Sequence, residues 1–566
     1  MSSDDVPAVG QRGSGQEAGA EFEVLVVGAG PVGLTAAYEL RRRGVAVRVV
    51  DRAPGPAVTS RATATHARTL EIYHQIGIID DILPRGQRAE HFTMYRAGHR
   101  LIRMDTEYST LPTRYPFTLQ VDQVITEEVL RTRLQDQGVE VEWGIELEKI
   151  DPGPDRVAVT LRHRDGLVEQ VTAPWLIGAD GGHSTVREQL GFTLLGSTTE
   201  TWLIADAVVD GAELPRDSLH WMHVGNGTIM LVPFPDPGKW RLLDTVDVAD
   251  ADDYDAVADR FAAKISRAIG RRVTVRTPSW VSVFTIQQRM IQQMRSGRCF
   301  VAGDAAHVHS PASGQGLNTG IHDACNLAWK LAEVIRGRAG DALLDTYGAE
   351  RLPVGEVLLE STRTATALIA LRNAAAPVVL PVGLRLLNTV KPLKRKIERK
   401  LMTAMSGLAL NYAQSPLTRP DEGVDDGRIR VGHRVACSTE TERRSPGWRA
   451  MCAELTDPRW TLLAFAGAVP LPRATADALA GIDRGYGDAV SVRTVSDGAA
   501  GGGPQPLDDP GLELHRSFRA GSGRYALVRP DGYLAATGAL GDAEHLASVL
   551  TDLHFLPGQL VTGRAE

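Results

Sequence analysis

At 566 residues the chain is too long for one hydrophobic core and implies about three domains. A formal net charge of −7 gives no reason to expect nucleic acid as a partner. The four cysteines, Cys299, Cys325, Cys437 and Cys452, form no CxxC pair and have no metal-ligand spacing, so they read as reduced thiols of a cytoplasmic protein.

Residues 1–20 are rich in Ser, Asp, Gly, Ala and Gln, the composition of a disordered tail and not of a signal peptide. The chain proper starts with VLVVGAGPVGLTAAYELRRRGVAVRVVDR, Val24 to Arg52. An apolar β-branched run leads into Gly28, Gly30, Pro31, Val32 and Gly33; an amphipathic stretch follows, and a second apolar run ends at Asp51. This is the strand–turn–helix–strand–acid order of a dinucleotide-binding unit. Gly28 makes the turn, Gly30 lets the backbone approach a pyrophosphate, and Gly33 lets helix and strand pack closely. The helix N-terminus offers unpaired N–H groups to phosphate.

A Pro/Gly loop then carries Arg61, His66 and Arg68 into a helix that runs to about Ile79. Segment 92–122 reads as short strands, and the next helix starts near Asp122 with Gln123 in its first turn. VEVEWGIELEKI and RVAVTLRH alternate as strands of a small sheet over the nucleotide.

Two further motifs follow. In WLIGADGGHSTVREQLG, a buried strand ends at Ala179 before Asp180 and Gly181, and a helix begins near Ser184. In GRCFVAGDAAHVHSPASGQGLNTG, a strand delivers Gly303 and Asp304 to the sheet edge where ligands of open α/β sheets bind. Gly314 and Gly316 then open a helix at Leu317 and Asn318 whose N–H groups face an anion.

Together these motifs resemble the FAD-dependent aromatic hydroxylases, the class A flavoprotein monooxygenases related to p-hydroxybenzoate hydroxylase. The resemblance rests on Gly28-Ala29-Gly30-Pro31-Val32-Gly33, on Gln123 with Glu127 and Leu130, and on Asp180-Gly181 with Ser184 and Arg187. It rests also on Gly303-Asp304-Ala305-Ala306-His307 with Pro311 and Gly314-Gln315-Gly316-Leu317-Asn318. It implies that Asp51 and Arg52 hold the adenosine ribose, Arg61 and Gln123 the pyrophosphate and ribityl, and Asp304 the ribityl chain. Asp180 and Gly181 would serve both FAD and the nicotinamide cofactor, and the Pro311 backbone would line the substrate side of the flavin. The family more often has Glu at the position of Asp51. The implied reaction uses NADPH or NADH to reduce FAD, and then O2, via a flavin C4a-hydroperoxide, to hydroxylate a phenolic or polycyclic aromatic ring.

The expected fold is α/β: a Rossmann-like FAD-binding domain in two parts (21–195 and 290–365) with an inserted antiparallel substrate sheet (196–289). A helical region and linker (366–426) leads to a C-terminal unit (427–566) that resembles the thioredoxin-like domain of the phenol-hydroxylase and polyketide-hydroxylase branch. Lacking CxxC, that unit is expected to serve structure or homo-oligomerisation. Within the substrate sheet, His220 and His223 are the polar groups that could partner a phenol, although alternation places them on opposite faces. The long sheet and extra domain suit a multi-ring substrate of antibiotic biosynthesis. A Baeyer–Villiger or ring-opening oxygenase acting on a polycyclic ketone is the alternative, and a flavin-binding non-oxygenase a more distant one. The halogenase WxWxIP signature is absent. Ala374 to Val390 is interrupted by Pro377, Pro381, Gly383 and Arg385, so no membrane segment is expected.

Overall fold

A computed structural model describes residues 22–60, 62–105, 112–225, 227–309, 314–370, 392, 396, 406–419, 429–498, 505–541 and 543–556. The N-terminal tail, Arg61, Pro311 and the apolar stretch Ala374 to Val390 lie outside them.

The strand Val24–Val27 is buried along its whole length and pairs in parallel with Val47–Asp51 on one side and Trp175–Gly178 on the other. Burial on both faces is why it reads as a continuous apolar run and not as an alternation. Val141–Trp143 extends the sheet beyond Val47–Asp51, and Cys299–Val301 extends it beyond Trp175–Gly178. Arg295–Ser296 adds an antiparallel edge, and all three motifs empty onto the carboxyl ends of the five parallel strands. The helix Pro31–Arg42 and the long helix Gly316–Ile335 pack directly on each other. The strands Ile145–Pro152, Val157–His163 and Val168–Ala173 form the small antiparallel sheet expected beside the nucleotide.

The second large sheet has nine strands and is wider than the interval 196–289. It takes in His91–Arg96, His99–Asp105 and His307–Val308. It is also not wholly antiparallel, because Ser218–Val224 pairs in parallel with His91–Arg96. The helix Tyr254–Ile269 covers its outer face, where Met222, Ile229, Leu231, Trp240 and Leu242 pack with Phe261 and Ile265. Gly270 ends that helix in the left-handed region at φ 76°, the usual glycine stop.

The C-terminal unit is a five-stranded mixed sheet in the order Pro506–Asp508, Val490–Ser496, Trp460–Gly467, Arg524–Val528, Leu534–Ala539. Leu479 and Ile482 from one helix and Leu546 and Leu550 from another pack on one face, while Trp448, Met451, Leu514 and Phe518 pack on the other. All four cysteines are buried and free. The seam to the first unit is built on Trp329, whose ring meets Trp460 edge-on at 5.4 Å.

Candidate active site

The three glycines of the first turn have different physical duties. Gly28 sits at φ +106°, and a Cβ there would lie 2.4 Å from the Ala179 carbonyl oxygen. A Cβ on Gly33 would fall 1.9 Å from the Gly28 carbonyl oxygen. Both are demanded by the protein's own packing. At Gly30 a Cβ would meet nothing within 4 Å, so the space there is left for something else.

A groove of about 230 Å³ runs from this turn, lined by Gly28, Gly30, Asp51, Arg52, Asp180 and Gly181 and by Ile145, Glu146 and Leu147 of the small sheet. The two Asp51 carboxylate oxygens accept the backbone N–H groups of Ala29 and Ala53, each at 2.7 Å. The shorter acid thus braces the glycine turn and still lines the groove. Asp180 accepts from the Ser184 hydroxyl and, at 3.2 Å, from the Val186 N–H. Burial outweighs these bonds and pushes its carboxyl above the usual range. Ser184 caps the helix Thr185–Gln189 through the Arg187 N–H, so this motif mainly holds its own turn.

The groove opens into a cavity of about 390 Å³. On one side lie Gly30, Pro31, Val32, Gln123, Gly181, Asp304, Gly314, Gly316 and Leu317. The helix Gly316–Ile335 begins there with no side-chain cap among the described residues, which turns its first N–H groups and the positive end of its dipole toward the cavity. The Gln123 side chain donates to Glu127 at 2.8 Å and its backbone N–H to Ser60 Oγ at 2.8 Å.

Two of the expected cofactor-binding residues have side-chain or packing duties of their own. The Asn318 amide is wholly engaged: it accepts the His66 N–H at 2.8 Å and donates to the carbonyls of Ala64 at 2.9 Å and Gly314 at 2.8 Å. It ties the loop before the helix Ala67–Gln75 to the long helix and does not line the cavity. Gly303 is buried with φ +63°, and a Cβ there would meet Val32 at 2.8 Å, so it serves close packing of the two motifs.

The opposite wall comes from the inner face of the nine-stranded sheet. Trp221 stands opposite Met230, Met230 opposite Leu243, and Leu243 opposite Ile204, giving one apolar row across four strands. Val232, Leu219 and Phe92 flank it in the cavity wall. Arg241 lines the same wall, with its guanidinium held by Asp206 at 2.8 and 2.9 Å and donating to the Ser60 carbonyl at 2.7 Å. Gln120, on the strand Thr118–Gln120 of a separate three-stranded sheet, also lines the cavity, and both of its amide atoms are buried without a hydrogen-bond partner among the described residues.

The histidines singled out as phenol partners do not line this cavity. His220 is 0% exposed on the outer face, with Nε2 bonded to the Pro215 carbonyl at 2.8 Å and its ring against Tyr95 and Trp240. His223 has the parity of Trp221 but lies farther along the strand, bonded to Thr228 Oγ1 at 3.0 Å. Their alternation was legible, but which face turns inward depends on what packs against each side. His309 lines the cavity instead, although it sat unremarked in the third motif.

The FAD binding domain family matches residues 21–362. The chain belongs to that family. It is an FAD-dependent aromatic monooxygenase, taking an aromatic substrate, O2 and a reduced flavin donor. A protein of Streptomyces rimosus named 6-methylpretetramide 4-monooxygenase is 56% identical over 549 residues, 96% of each chain. The solved structure of OxyS anhydrotetracycline hydroxylase from Streptomyces rimosus matches with a TM-score of 0.72 at 29% identity, covering 95% of this chain and all of that one. That of the flavin-dependent monooxygenase PieE, in complex with FAD and substrate, matches with a TM-score of 0.76 at 26% identity, covering 94% and 99%. The free space at Gly30, the uncapped helix at Gly316 and the groove past Asp51 and Arg52 fit FAD. No described helix is long and apolar enough to cross a membrane.

Proposed function

We propose that the enzyme hydroxylates a phenolic ring of a multi-ring aromatic polyketide carboxamide, with 6-methylpretetramide or a close analogue as substrate. The observation that carries this reading is the row Trp221, Met230, Leu243 and Ile204, a flat apolar wall facing the cofactor side across the cavity. The identity of 56% over nearly the whole of both chains supports this substrate class.

When bound, FAD supplies the redox chemistry, accepting a hydride from NADPH or NADH and activating O2 for transfer of one oxygen atom to the ring. The protein contributes binding and orientation. Gly30 and the Gly316 helix start would seat the phosphates and the flavin, with the dipole's positive end favouring the anionic reduced ring. Asp304, Gln123 and Arg52 would hold the polyol and ribose hydroxyls. The apolar row would exclude water and orient the substrate ring. We read the C-terminal unit as a thioredoxin-like structural domain, supported by its strand order and by the lack of a CxxC motif.

The test is anaerobic flavin reduction by NADPH with and without 6-methylpretetramide, followed by product mass under labelled O2. Substrate-accelerated reduction and a product carrying one labelled oxygen on an intact ring are expected. Insertion of that oxygen between ring carbons would replace this reading with the Baeyer–Villiger one. Reduction indifferent to every polycyclic phenol, with no oxygenated product, would remove both.

A further inference from the structure

Oxygen transfer to a phenol is favoured when its hydroxyl gives up its proton, and a hydrogen-bonded chain behind the cavity is built to take one. His309 follows the strand His307–Val308, and its ring lines the cavity. Its Nε2 lies 2.8 Å from His307 Nδ1, with the two ring centroids 4.7 Å apart. His307 Nε2 in turn lies 2.6 Å from Asp323 Oδ2. Asp323 Oδ1 accepts from Arg351 Nε at 2.6 Å, and Oδ2 also accepts the Gly303 N–H at 3.1 Å. His307, Asp323 and Arg351 are each 1% exposed.

The proton positions follow from the carboxylate outward. Burial alone would raise the Asp323 carboxyl, but the Arg351 guanidinium and the hydrogen bonds from His307 and Arg351 hold it well below the usual carboxylate range. An ionised carboxylate only accepts, so His307 Nε2 carries a proton. In the tautomer that leaves the His307 lone pair on Nδ1, His309 Nε2 is the donor to it. His309 Nδ1 is left as a bare acceptor, and it is buried with no hydrogen-bond partner among the described residues.

We propose that His309 Nδ1 is the acceptor that takes the hydroxyl proton of the phenolic substrate, with His307 and Asp323 as the positioning residues that receive the charge. The substrate O–H bond breaks and an N–H bond forms at His309 Nδ1. The proton on His309 Nε2 passes to His307 Nδ1, leaving a phenolate in the cavity and a His307 imidazolium against Asp323. The arrangement has the logic of a base oriented by a second group and charge-compensated by a buried acid. Burial and the neighbouring His307 keep His309 itself from holding a positive charge, with Asp323 only partly offsetting them. The relay resolves this by placing the charge one ring deeper, beside the carboxylate. The proton returns along the same path as the product leaves.

The inference rests on the phenolic-substrate reading above, and the experiment separates the two. His309→Asn keeps an N–H donor for His307 and removes the basic nitrogen. In the wild-type holoenzyme, bound 6-methylpretetramide should show its phenolate absorbance band at neutral pH. The variant should keep its full flavin content, bind the neutral phenol, and turn over about 100-fold more slowly, the scale of a lost general base. Raising the pH until the free phenol ionises should restore much of that rate. A variant that retains the phenolate band, or that loses its flavin, overturns the proposal. If the wild-type enzyme neither binds nor oxidises the probe, the substrate reading fails. Nitrogen-15 histidine spectra of the holoenzyme still decide the relay in that case: a neutral His309 protonated on Nε2 supports it, and one protonated on Nδ1 overturns it.

Discussion

The helix Gly316–Ile335 borders two buried polar clusters, and they are built in opposite ways. At the seam with the C-terminal unit, Glu350 is surrounded completely. One of its oxygens accepts from Arg529 at 2.5 Å and Ser415 at 2.5 Å, the other from Arg529 at 2.9 Å, Lys330 at 2.7 Å and Asn326 at 2.7 Å. Asp531 shares Arg529 and accepts from Trp329 Nε1 at 3.2 Å. At the cavity, the Asp323 chain ends on a His309 nitrogen with no partner among the described residues, and the Gln120 amide has none among them at either end. A buried charge whose every bond is made inside the protein fixes architecture. A buried polar atom left open beside a cavity leaves a hydrogen bond for a ligand to complete.

The strongest way to break this contrast is at the seam. Glu350→Gln keeps the shape and leaves Arg529 and Lys330 buried with too little negative charge. Removing one partner of such a pair destabilises by about 3–5 kcal/mol. Denaturant unfolding should register that loss, while flavin bound per folded molecule stays at the wild-type value. A loss under 1 kcal/mol would show that the seam does not depend on its charges.

The glycine turn repeats the contrast in the backbone. Gly33→Ala puts a Cβ 1.9 Å from the Gly28 carbonyl oxygen and should destabilise the fold by about 3 kcal/mol, toward the upper end for overpacking. Gly30→Val meets no protein atom near its Cβ, so the apoprotein should unfold as the wild type does and yet be purified without flavin. Full flavin occupancy in Gly30→Val would remove the pyrophosphate from this turn.

These two glycines mark what was legible in the sequence. The turn, its helix and the closing acid are constraints between near neighbours in the chain, so spacing alone locates them. The inner wall of the cavity is not local. His220 and Trp221 alternate whichever way the sheet faces. Trp221 becomes cavity wall because the helix Tyr254–Ile269 covers the other side and His91–Arg96 extends the sheet. Asn318 was readable as part of a motif, but its partners Ala64 and His66 reach it only through the fold. His309 was likewise visible as a residue, while its role needs Asp323 brought round by the long helix.

A smaller effect separates the two faces of the nine-stranded sheet by pH. Burial lowers the His220 pKa to about 4, and that of His223 also to about 4. Below the ordinary value near 6.5 the unfolded chain binds a proton that the folded one refuses, so stability is lost as the pH falls from about 6.5 to about 4. For His220, which is fully buried, the integrated loss is roughly 3 kcal/mol at most. His220→Phe, filling a site already walled by Tyr95 and Trp240, should therefore flatten the fall in unfolding free energy between pH 7 and pH 4.5. It should leave kcat unchanged, because the outer face does not meet the cavity. An unchanged slope with reduced kcat would bring His220 back as a phenol partner.

The smallest effect expected sharpens the contrast most, because it has two signs. Gln120→Leu replaces an amide whose donor and acceptor are both unmet among the described residues with an apolar group of similar size. An unsatisfied buried polar group costs about 1–3 kcal/mol, so the apoprotein should gain on the order of 1 kcal/mol in unfolding free energy. The same substitution removes hydrogen bonds that a carboxamide or phenol in the cavity would complete, and 6-methylpretetramide should bind about tenfold more weakly, which corresponds to about 1.4 kcal/mol. A stabilised protein with weakened substrate binding is the behaviour of a residue kept for its ligand. A destabilised protein with unchanged binding would place Gln120 with the seam residues, as part of the scaffold.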